Sequence, residues 1–145
     1  MERTFTMIKP DGIRKGLIGE VIGRFERRGL VVEELRLDYL TSDIAETHYG
    51  EHEGKPFFSD LVEYVTSGPV VLMMLTGIEG TVEIARQMIG ATDPAKAAPG
   101  TIRGDFATEI SENIIHGSDS TASARRELAL FFPDSKHKGG DGNGS

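Results

Sequence analysis

The stretch from Val70 to Leu75 constrains the fold of this chain more than any other. It reads Val-Val-Leu-Met-Met-Leu, and Gly68-Pro69 comes immediately before it. Glycine and proline interrupt regular structure, so a new element is expected to begin after them. Successive side chains of a strand point to opposite faces of the sheet. An apolar run of this kind therefore predicts a central strand that is buried on both faces.

Apolar spacing predicts the other elements around this strand. Strands are predicted over 4–8, 30–40 and at 114–115, and helices over 18–28, 42–49, 58–67, 81–89 and 121–130. Residues 9–12 are predicted to be a turn, because proline and Asp-Gly break regular structure. Residues 91–104 are rich in Ala, Pro, Gly, Asp and Thr, and they predict a long loop of the kind that is uncommon unless it is functional.

The order of these elements predicts an α/β sandwich built from a βαββαβ unit. We expect a single domain over residues 1–136, because the length of the chain suits one domain with a proper core. Residues 137–145 are polar and rich in glycine, and we expect them to form a flexible tail.

Composition excludes several classes of protein. The chain has no cysteine, which excludes a disulfide framework and thiolate chemistry. Its net charge of −7 argues against non-specific nucleic-acid binding by the whole surface, so a bound polyanion needs a local cluster of Lys and Arg or a metal ion. No specific nucleic-acid partner is expected. The first twenty residues are too charged for a signal peptide, and no apolar run is long enough to cross a bilayer. We therefore expect a cytoplasmic protein with no membrane partner.

The segment Asn113–Ser120 is the strongest candidate for a functional site. It reads Asn-Ile-Ile-His-Gly-Ser-Asp-Ser, which places His116 at a predicted corner between a strand and a helix. Gly117 permits an unusual backbone angle or a close ligand approach. The next three residues are all good helix N-caps, and a helix N-terminus favours phosphate. The alternative is a histidine that is simply satisfied at a capped helix start.

Three cations and one acid can join this histidine. Lys9, Arg86 and Arg103 each lie near a turn or a helix end that the sandwich would place at one edge, although any single Lys or Arg is more often a solvated surface residue. Glu127 lies in the helix after His116 and can orient the imidazole, as carboxylates do for catalytic histidines. The alternative for Glu127 is a surface helix residue.

A zinc site is a further possibility in the sequence. His48-Tyr-Gly-Glu-His52 formally matches the inverted zinc-protease pattern, in which two histidines share a helix face. Gly50 weakens that helix by about 1 kcal/mol, and no third ligand is indicated. Two polar histidines at a helix end are therefore the favoured interpretation. The chain also has neither a Walker loop nor a Gly-x-Gly-x-x-Gly pattern.

Several short stretches, taken together and in order, resemble the nucleoside diphosphate kinase family over nearly the whole chain. They are Glu-Arg-Thr-Phe at 2–5, Ile-Lys-Pro-Asp-Gly at 8–12, His-Tyr at 48–49, Lys-Pro-Phe-Phe at 55–58, Ser-Gly-Pro-Val-Val at 67–71, Gly-Ala-Thr-Asp-Pro at 90–94, Pro-Gly-Thr-Ile-Arg-Gly-Asp-Phe at 99–106 and the segment 113–120. The resemblance implies a ferredoxin-like βαββαβ fold with an antiparallel four-stranded sheet and added helices.

The resemblance also implies a reaction, which is exchange of the γ-phosphate between nucleoside triphosphates and diphosphates in a ping-pong mechanism. It makes His116 the nucleophile that becomes a phosphohistidine. It implies that Glu127 and Ser118 position this histidine and the transferred phosphoryl group, and that Tyr49 supports Lys9, which reaches the terminal phosphate.

The nucleotide itself is implied to contact a further set of side chains. The resemblance assigns the phosphates to Arg86, Thr92 and Arg103, with His52 nearby, the ribose hydroxyls to Lys9 and Asn113, and the base to Phe57 and Ile110.

The implied cofactor is Mg²⁺ carried by the nucleotide phosphates, since no dense cluster of carboxylates offers a dedicated metal site. The implied partners are ATP and other nucleoside di- and triphosphates, so that the enzyme would maintain NTP and dNTP pools. A homohexamer is expected, with a homotetramer as the alternative, because in similar proteins the loop corresponding to 91–104 lies at subunit contacts. The competing hypothesis is a ferredoxin-like regulatory module without catalysis, which would not need a histidine, a glutamate and three cations together.

Overall fold

A strand buried on both faces lies in the interior of the sheet, as its sequence predicts. The structure, a computed structural model, describes residues 1–135. Val70–Gly77 forms this strand, and it pairs with one strand on each side. Val71, Met73 and Leu75 point into one core, whereas Val70, Leu72 and Met74 point into the other. The alternation buries every side chain of the run, so helices must cover both faces.

The elements of the described chain form a ferredoxin-like βαββαβ arrangement with added helices. The strands are β1 (Glu2–Ile8), β2 (Val31–Asp38), β3 (Val70–Gly77) and β4 (Ile115–Gly117). The helices are α1 (Pro10–Arg14), α2 (Ile18–Arg27), α3 (Ser42–His48), α4 (Phe58–Val65), α5 (Thr81–Ile89), α6 (Ile102–Phe106) and α7 (Thr121–Phe131). The strand order is β2-β3-β1-β4, and every neighbouring pair is antiparallel.

The two faces of the sheet have separate cores. One contains Val21 and Phe25 of α2 together with Ala85 and Ile89 of α5. The other is formed around Phe5 of β1, whose ring stacks on Phe131 of α7 with a centroid distance of 4.5 Å. The sheet therefore lies between two helical layers.

The predicted turn at residues 9–12 is wrong, because Pro10 begins a helix there. Proline is well suited to the first helical position, where its missing N–H has no partner to lose. Gly12 lets this helix pack closely, since a Cβ at that position would lie 2.7 Å from Ile8 Cγ2 and 3.0 Å from the Ile114 carbonyl oxygen. The proline and glycine that indicated a turn therefore allow a short helix beside β1.

The predicted long loop at 91–104 is also more structured than expected. A 3₁₀ turn covers Pro94–Lys96, and α6 begins at Ile102. Side-chain oxygens cap both elements: Asp93 accepts from Ala95 N at 3.0 Å, and Thr101 accepts from Gly104 N at 3.0 Å. Within residues 1–135, none of the helices combines the length and the apolar character needed to cross a bilayer. The predicted tail, 137–145, lies outside the described residues.

Candidate active site

His116 is the middle residue of β4, so it lies within the strand and not at the predicted corner between strand and helix. Its backbone pairs with Met7 of the interior strand β1, so one side of this edge strand is held by the sheet. The unusual backbone angle that was predicted for Gly117 occurs at Ile114 instead, where φ is 76°. This left-handed conformation costs a non-glycine residue about 1–2 kcal/mol, so the surrounding contacts must hold the segment in place.

Gly117 contributes a close approach rather than a special angle. A Cβ at this position would lie 2.5 Å from Ile89 Cδ1 of α5. Real carbon atoms do not approach so closely, so the absence of a side chain allows α5 to pack against the strand next to His116.

A carboxylate behind His116 determines which ring nitrogen is free. The Nε2 of His116 lies 3.0 Å from Glu127 Oε1, and Ser118 Oγ donates to the same oxygen at 2.6 Å. A carboxylate only accepts hydrogen bonds, so Nε2 carries the proton and the neutral ring has its lone pair on Nδ1. Within the described chain, Nδ1 has no hydrogen-bond partner and is not among the ring nitrogens that are sealed from solvent. The lone pair is therefore accessible from the cavity that His116 lines.

Glu127 is held in its ionised form. Burial raises the pKa of its carboxyl group, but the hydrogen bond and charge of His116 and the hydrogen bond from Ser118 lower it more. The net pKa of Glu127 lies below its ordinary value. Near neutral pH the carboxylate is therefore negative and faces the protonated nitrogen of the histidine.

Three cations line the same cavity and repel one another. Burial and the charge of Arg103 lower the pKa of Lys9 to about 8, although Asp11 partly opposes the shift. Burial and the charge of Arg86 lower the pKa of Arg103 to about 10. Positive groups that are both desolvated and close together are stabilised when an anion binds between them. The electrostatics of the cavity therefore favour phosphate.

Arg103 also ties two segments of the backbone together. Its guanidinium donates to the carbonyl oxygens of Gly90 at 3.1 Å, Asn113 at 3.2 Å and Ile115 at 2.6 Å. These bonds join the end of α5 to the start of β4, and Arg103 is 8% exposed. Arg103 thus stabilises the local backbone and also contributes a positive charge to the cavity.

Asn113 links two more of the predicted site residues. Lys9 Nζ donates to its Oδ1 at 2.9 Å, and its own Nδ2 donates to the carbonyl oxygen of Thr92 at 3.1 Å. Lys9 lies between β1 and α1, Thr92 in the loop before α6, and Asn113 in the segment before β4. The network places an ammonium group and an amide side by side on the cavity wall.

The mouth of the cavity is apolar on two sides. Phe57 is 45% exposed and Ile110 is 59% exposed, and both line the opening. The ring of His52 lies 5.2 Å from that of Phe57. Exposed aromatic and aliphatic faces at a cavity mouth are suited to stacking on a flat ligand.

Tyr49 lies deeper in the cavity. Burial, with a contribution from the charge of Glu127, raises the pKa of its hydroxyl to about 12, so this group stays a hydrogen-bond donor. The resemblance predicts that Tyr49 supports Lys9. Within residues 1–135, no hydrogen bond joins these two side chains. The tyrosine ring instead lies 4.7 Å from the ring of His48.

Every residue predicted at the site except Ser118 lines one cavity of about 690 Å³. Ser118 is buried behind it and acts through its bond to Glu127. A volume in this range is typical of small-molecule sites, which measure about 300–1,000 Å³. The cavity therefore gathers nucleophile, cations and stacking surfaces from all parts of the chain.

Sequence reasoning missed an aspartate that holds the histidine segment. Asp11 is 1% exposed, and its Oδ2 accepts from the backbone N–H of Ile114 at 2.9 Å. Its Oδ1 is hydrogen-bonded to the hydroxyl of Tyr64, which in turn accepts from the Asp11 N–H at 2.8 Å. These bonds support the left-handed conformation of Ile114. The Pro-Asp-Gly pattern indicated only a turn, and nothing in the sequence pointed to partners so distant along the chain.

The predicted phosphate site at the N-terminus of α7 is not favoured by the geometry. Ser120 caps the helix and accepts from Ser123 N at 3.0 Å. The Asp119 carboxylate lies on the cavity wall beside this end, and a hydrogen bond from Ser123 lowers its pKa although burial opposes the shift. A negative group beside an already capped N-terminus disfavours a second anion. The cations of the cavity are the better phosphate ligands.

The donor set of the cavity fits magnesium only through a bound nucleotide. Mg²⁺ prefers oxygen ligands, whereas the described side chains that lie close enough together to share an ion are His48, His116 and Glu127. The other cavity carboxylates include Asp119, which already accepts from Ser123 Oγ at 2.6 Å. A magnesium ion would therefore be held mainly by the phosphate oxygens of the nucleotide and not by protein side chains.

Phosphoryl transfer needs a positioned nucleophile and neutralisation of charge more than it needs acid–base chemistry. The cavity supplies a neutral imidazole with a free lone pair and a group of cations facing it. On a ferredoxin-like sheet, such a site defines a nucleotide-binding phosphotransferase.

Comparison with known proteins identifies the family. The family model described as nucleoside diphosphate kinase matches residues 2–137, and the chain belongs to this family. The nucleoside diphosphate kinase of Parafrankia sp. is 59% identical over 132 residues, which cover 91% of this chain and 96% of the relative. That of Archaeoglobus fulgidus is 54% identical over 134 residues, with 92% of this chain and 88% of the relative covered.

A solved structure agrees with the fold and the activity. The halophilic nucleoside diphosphate kinase of Halobacterium salinarum, solved in complex with CDP, superposes with a TM-score of 0.88 at 47% identity, covering 92% of this chain and 88% of that chain. The protein is thus a transferase and kinase that acts on nucleotides, as the sequence predicts.

Proposed function

We propose that this protein transfers the γ-phosphate of a nucleoside triphosphate, mainly ATP, to nucleoside diphosphates by a ping-pong mechanism through a phosphohistidine at His116. The observation that supports this most is the 3.0 Å contact between His116 Nε2 and Glu127 Oε1. It keeps the proton on Nε2 and leaves the lone pair of Nδ1 accessible from the cationic cavity. In the cell this exchange maintains the NTP and dNTP pools.

The first half-reaction forms a bond between nitrogen and phosphorus. The Nδ1 lone pair of His116 attacks the γ-phosphorus, the bond from that phosphorus to the bridging oxygen breaks, and the nucleoside diphosphate leaves with the electron pair. The proton remains on Nε2, so the ring becomes positively charged. The Glu127 carboxylate stabilises this charge and holds the ring in its tautomer, as the carboxylate of a catalytic triad does.

The second half-reaction reverses the first with another nucleotide. A terminal oxygen of the incoming diphosphate attacks the phosphorus, the bond to Nδ1 breaks, and the electron pair returns to the ring. His116 is again neutral and no proton is exchanged with solvent. Because both halves use the same groups, the enzyme needs one site for donor and acceptor.

The cations position the phosphates in this scheme. Arg86 and Arg103 bind phosphate oxygens through their planar guanidinium groups, and Lys9 contributes a point charge toward the terminal phosphate. Thr92 contacts a phosphate, and Asn113 with Lys9 contacts the ribose hydroxyls. When bound, Mg²⁺ would be held mainly by the nucleotide phosphates and would neutralise part of their charge.

The remaining residues complete the nucleotide site. We assign the base to the gap between Phe57 and Ile110, and His52 to the region beside the phosphates. Tyr49 is assigned to the support of Lys9. The complex of the Halobacterium salinarum relative with CDP supports a nucleotide in the equivalent cavity. Ser118 is a positioning residue, because it acts on His116 through its hydrogen bond to Glu127.

We also propose that the protein is a cytoplasmic homohexamer, with a homotetramer as the alternative. The support lies in β2, which pairs with β3 and forms an edge of the sheet in the described chain. Its outward side chains are unusually apolar: Leu35 is 54% exposed, Leu37 is 63% exposed and the following Tyr39 is 69% exposed. Edge strands of this kind tend to pair with another chain.

A labelling experiment tests the proposed function. The protein is incubated with ATP labelled at the γ-phosphate and Mg²⁺, and the protein-bound label is tested for stability in acid and in base. We expect phosphate that is lost in acid and kept in base, and its complete absence from His116→Ala. His137→Ala removes a histidine that lies outside the described residues; it is the control and should keep both labelling and exchange. Substantial exchange by His116→Ala, with label on another residue, would exclude the mechanism.

A further inference from the structure

A second histidine beside the nucleophile has no partner for either of its ring nitrogens. His48 is the last residue of α3, and Nδ1 and Nε2 are both sealed from solvent and without a hydrogen bond in the described chain. Unpaired buried polar groups cost free energy, of the order of 1–3 kcal/mol each. The ring lies edge-on to His116, at a centroid distance of 4.6 Å and an interplanar angle of 89°. The proposed phosphoryl transfer assigns no task to His48.

These two imidazoles and Glu127 form a set of metal ligands. One nitrogen from each histidine and one oxygen of Glu127 lie within 4.8 Å of one another. Tetrahedral zinc, with bonds of about 2.0–2.1 Å, places its ligand atoms roughly 3.4 Å apart. The site must therefore contract by about 1.4 Å at its widest when zinc binds. Two histidines with one carboxylate is a donor set of known zinc sites.

We propose that His48, His116 and Glu127 bind a zinc ion and that this ion inhibits the enzyme. The inhibitory part rests on the proposed function of His116, whereas the binding part does not. Imidazole ligands favour zinc or copper over magnesium, which prefers oxygen.

The chemistry of inhibition follows from the histidine tautomer. Zinc at His116 Nε2 takes the position that the proton occupies in the metal-free enzyme. The displaced proton is taken up by Nδ1, so the ring stays neutral and forms one bond to zinc. The nitrogen that should attack phosphorus then has no free lone pair. Zinc therefore blocks phosphorylation without occupying the phosphate site.

The proposed zinc site differs from the sequence pattern His48-x-x-x-His52, in which His52 would be the second ligand. The His52 side chain is 30% exposed, and its Nε2 lies 3.5 Å from its neighbour Glu51. The residues that complete a site with His48 come from β4 and α7, which explains why no third ligand is visible near it in the sequence.

Calorimetry with zinc chloride on the full nucleotide-free protein tests the binding. We expect one zinc ion per chain, unaffected by millimolar Mg²⁺. His48→Phe keeps the ring and removes both nitrogens, and it should weaken binding by more than tenfold, since loss of even an outer-shell partner costs about 10–100-fold. His52→Phe is the matched control and should bind zinc like the wild type. His48→Leu is the second variant, and circular dichroism checks that each variant is folded.

Two further measurements separate the parts of the proposal. Cobalt substitution should give the visible absorption of a tetrahedral ion in the wild type and in His52→Phe, but not in His48→Phe. Zinc should slow phosphoenzyme formation in the wild type and have no such effect in His48→Phe. Absence of stoichiometric binding, or equal loss in His48→Phe and His52→Phe, would overturn the site. Binding without slower phosphorylation would overturn the inhibition. Absence of any phosphoenzyme without zinc would refute the proposed function and leave the binding result standing.

Discussion

Lys9 carries its positive charge where burial and Arg103 both disfavour it. With a pKa lowered to about 8, the ammonium loses its proton within an accessible range of pH. A phosphate group bound nearby stabilises the charged form and raises the pKa again. Lys9 is therefore a group whose charge is coupled to the presence of the substrate.

We predict that kcat/KM for a nucleoside triphosphate falls as pH rises through about 8, because this constant reports the free enzyme and neutral Lys9 makes no ionic contact with phosphate. The profile of kcat should bend at a higher pH, since the bound nucleotide raises the pKa. In Lys9→Arg the guanidinium stays charged, so this limb should vanish even if the overall rate is lower. An unchanged limb near pH 8 in Lys9→Arg would assign it to another group.

Phe57 and Ile110 offer the base no polar group, so we predict broad specificity for purine and pyrimidine nucleotides, ribo and deoxy. Stacking contributes about 1–3 kcal/mol per base and is available to every base. Phe57→Ala should lower kcat/KM for GDP, ADP, CDP, UDP and dTDP by roughly 5–150-fold, and most for the purines. Steady-state assays with one fixed donor measure this. A preference of the wild type for a single base beyond about a thousandfold would reveal a polar group that reads it.

Single residues differ in how well the sequence predicts them. His116, Lys9 and Arg103 lie in short stretches whose residue types already indicate phosphate chemistry, and Glu127 is indicated by its place in the helix after His116. Asp11 and His48 do not, because their meaning depends on partners elsewhere in the chain: Asp11 bonds Ile114, 103 positions away. Contacts of that range are decided by the packing of whole elements, which local patterns do not report.

At the scale of elements, β4 is a short strand whose position is fixed by contacts with other elements. Its pairing with β1, the bonds from Arg103 and the contact of Gly117 with α5 all act on a strand of three residues. Because His116 is its middle residue, any displacement of β4 moves the nucleophile.

We predict that Gly117→Ala destabilises the protein by about 1–3 kcal/mol and lowers kcat, because the new methyl group must displace Ile89 or the strand. A misplacement of 1 Å at a catalytic group can cost about 10²-fold in rate. Thermal unfolding and steady-state kinetics measure the two effects.

Gly19→Ala in α2 is the matched control, since nothing lies within 4 Å of a Cβ there. It should stabilise the protein by up to about 1 kcal/mol, because alanine is the better helix former, and leave kcat unchanged. Wild-type stability and kcat in Gly117→Ala would show that α5 and β4 are not tightly packed.

Elements were predictable to different extents for physical reasons. The apolar run of β3 has one favoured outcome, because so short a run after Gly68-Pro69 is typical of a strand covered on both faces. The run Lys9-Pro-Asp-Gly has two, since proline suits both a turn and the first position of a helix. The packing of Gly12 against Ile8 decides between them, and that contact exists only in the folded chain.

At the scale of the whole molecule, the exposed apolar side chains of the edge strand β2 have no cover within the single chain. Leu35 and Leu37 pair across the sheet with Met73 and Val71, which belong to a buried core. Leu35 and Leu37 thus lie on the same face of the sheet as this core, but the helices do not cover them. Residues 1–136 as a single domain, with 137–145 as a flexible tail, stays a prediction.

We predict a hexamer by light scattering at micromolar concentration, and dissociation to smaller species in Leu37→Glu, because a charge on this edge cannot be buried without a partner. Ile78→Glu is the matched control: Ile78 is 72% exposed and lies outside β2, so its assembly should be unchanged. A monomeric wild type would contradict the proposed assembly, and dissociation of both variants would contradict the assignment to β2.

The most direct test of the mechanism is the position of the phosphate on the histidine ring. The protein is phosphorylated with ATP and Mg²⁺, separated from nucleotide, and examined by phosphorus NMR at alkaline pH, where phosphate on Nδ1 and phosphate on Nε2 give different resonances. Because Glu127 holds the proton on Nε2, we predict phosphate on Nδ1 of His116, complete loss of the signal on adding a nucleoside diphosphate, and no signal from His116→Ala. Phosphate on Nε2, or on any other residue, would contradict the account.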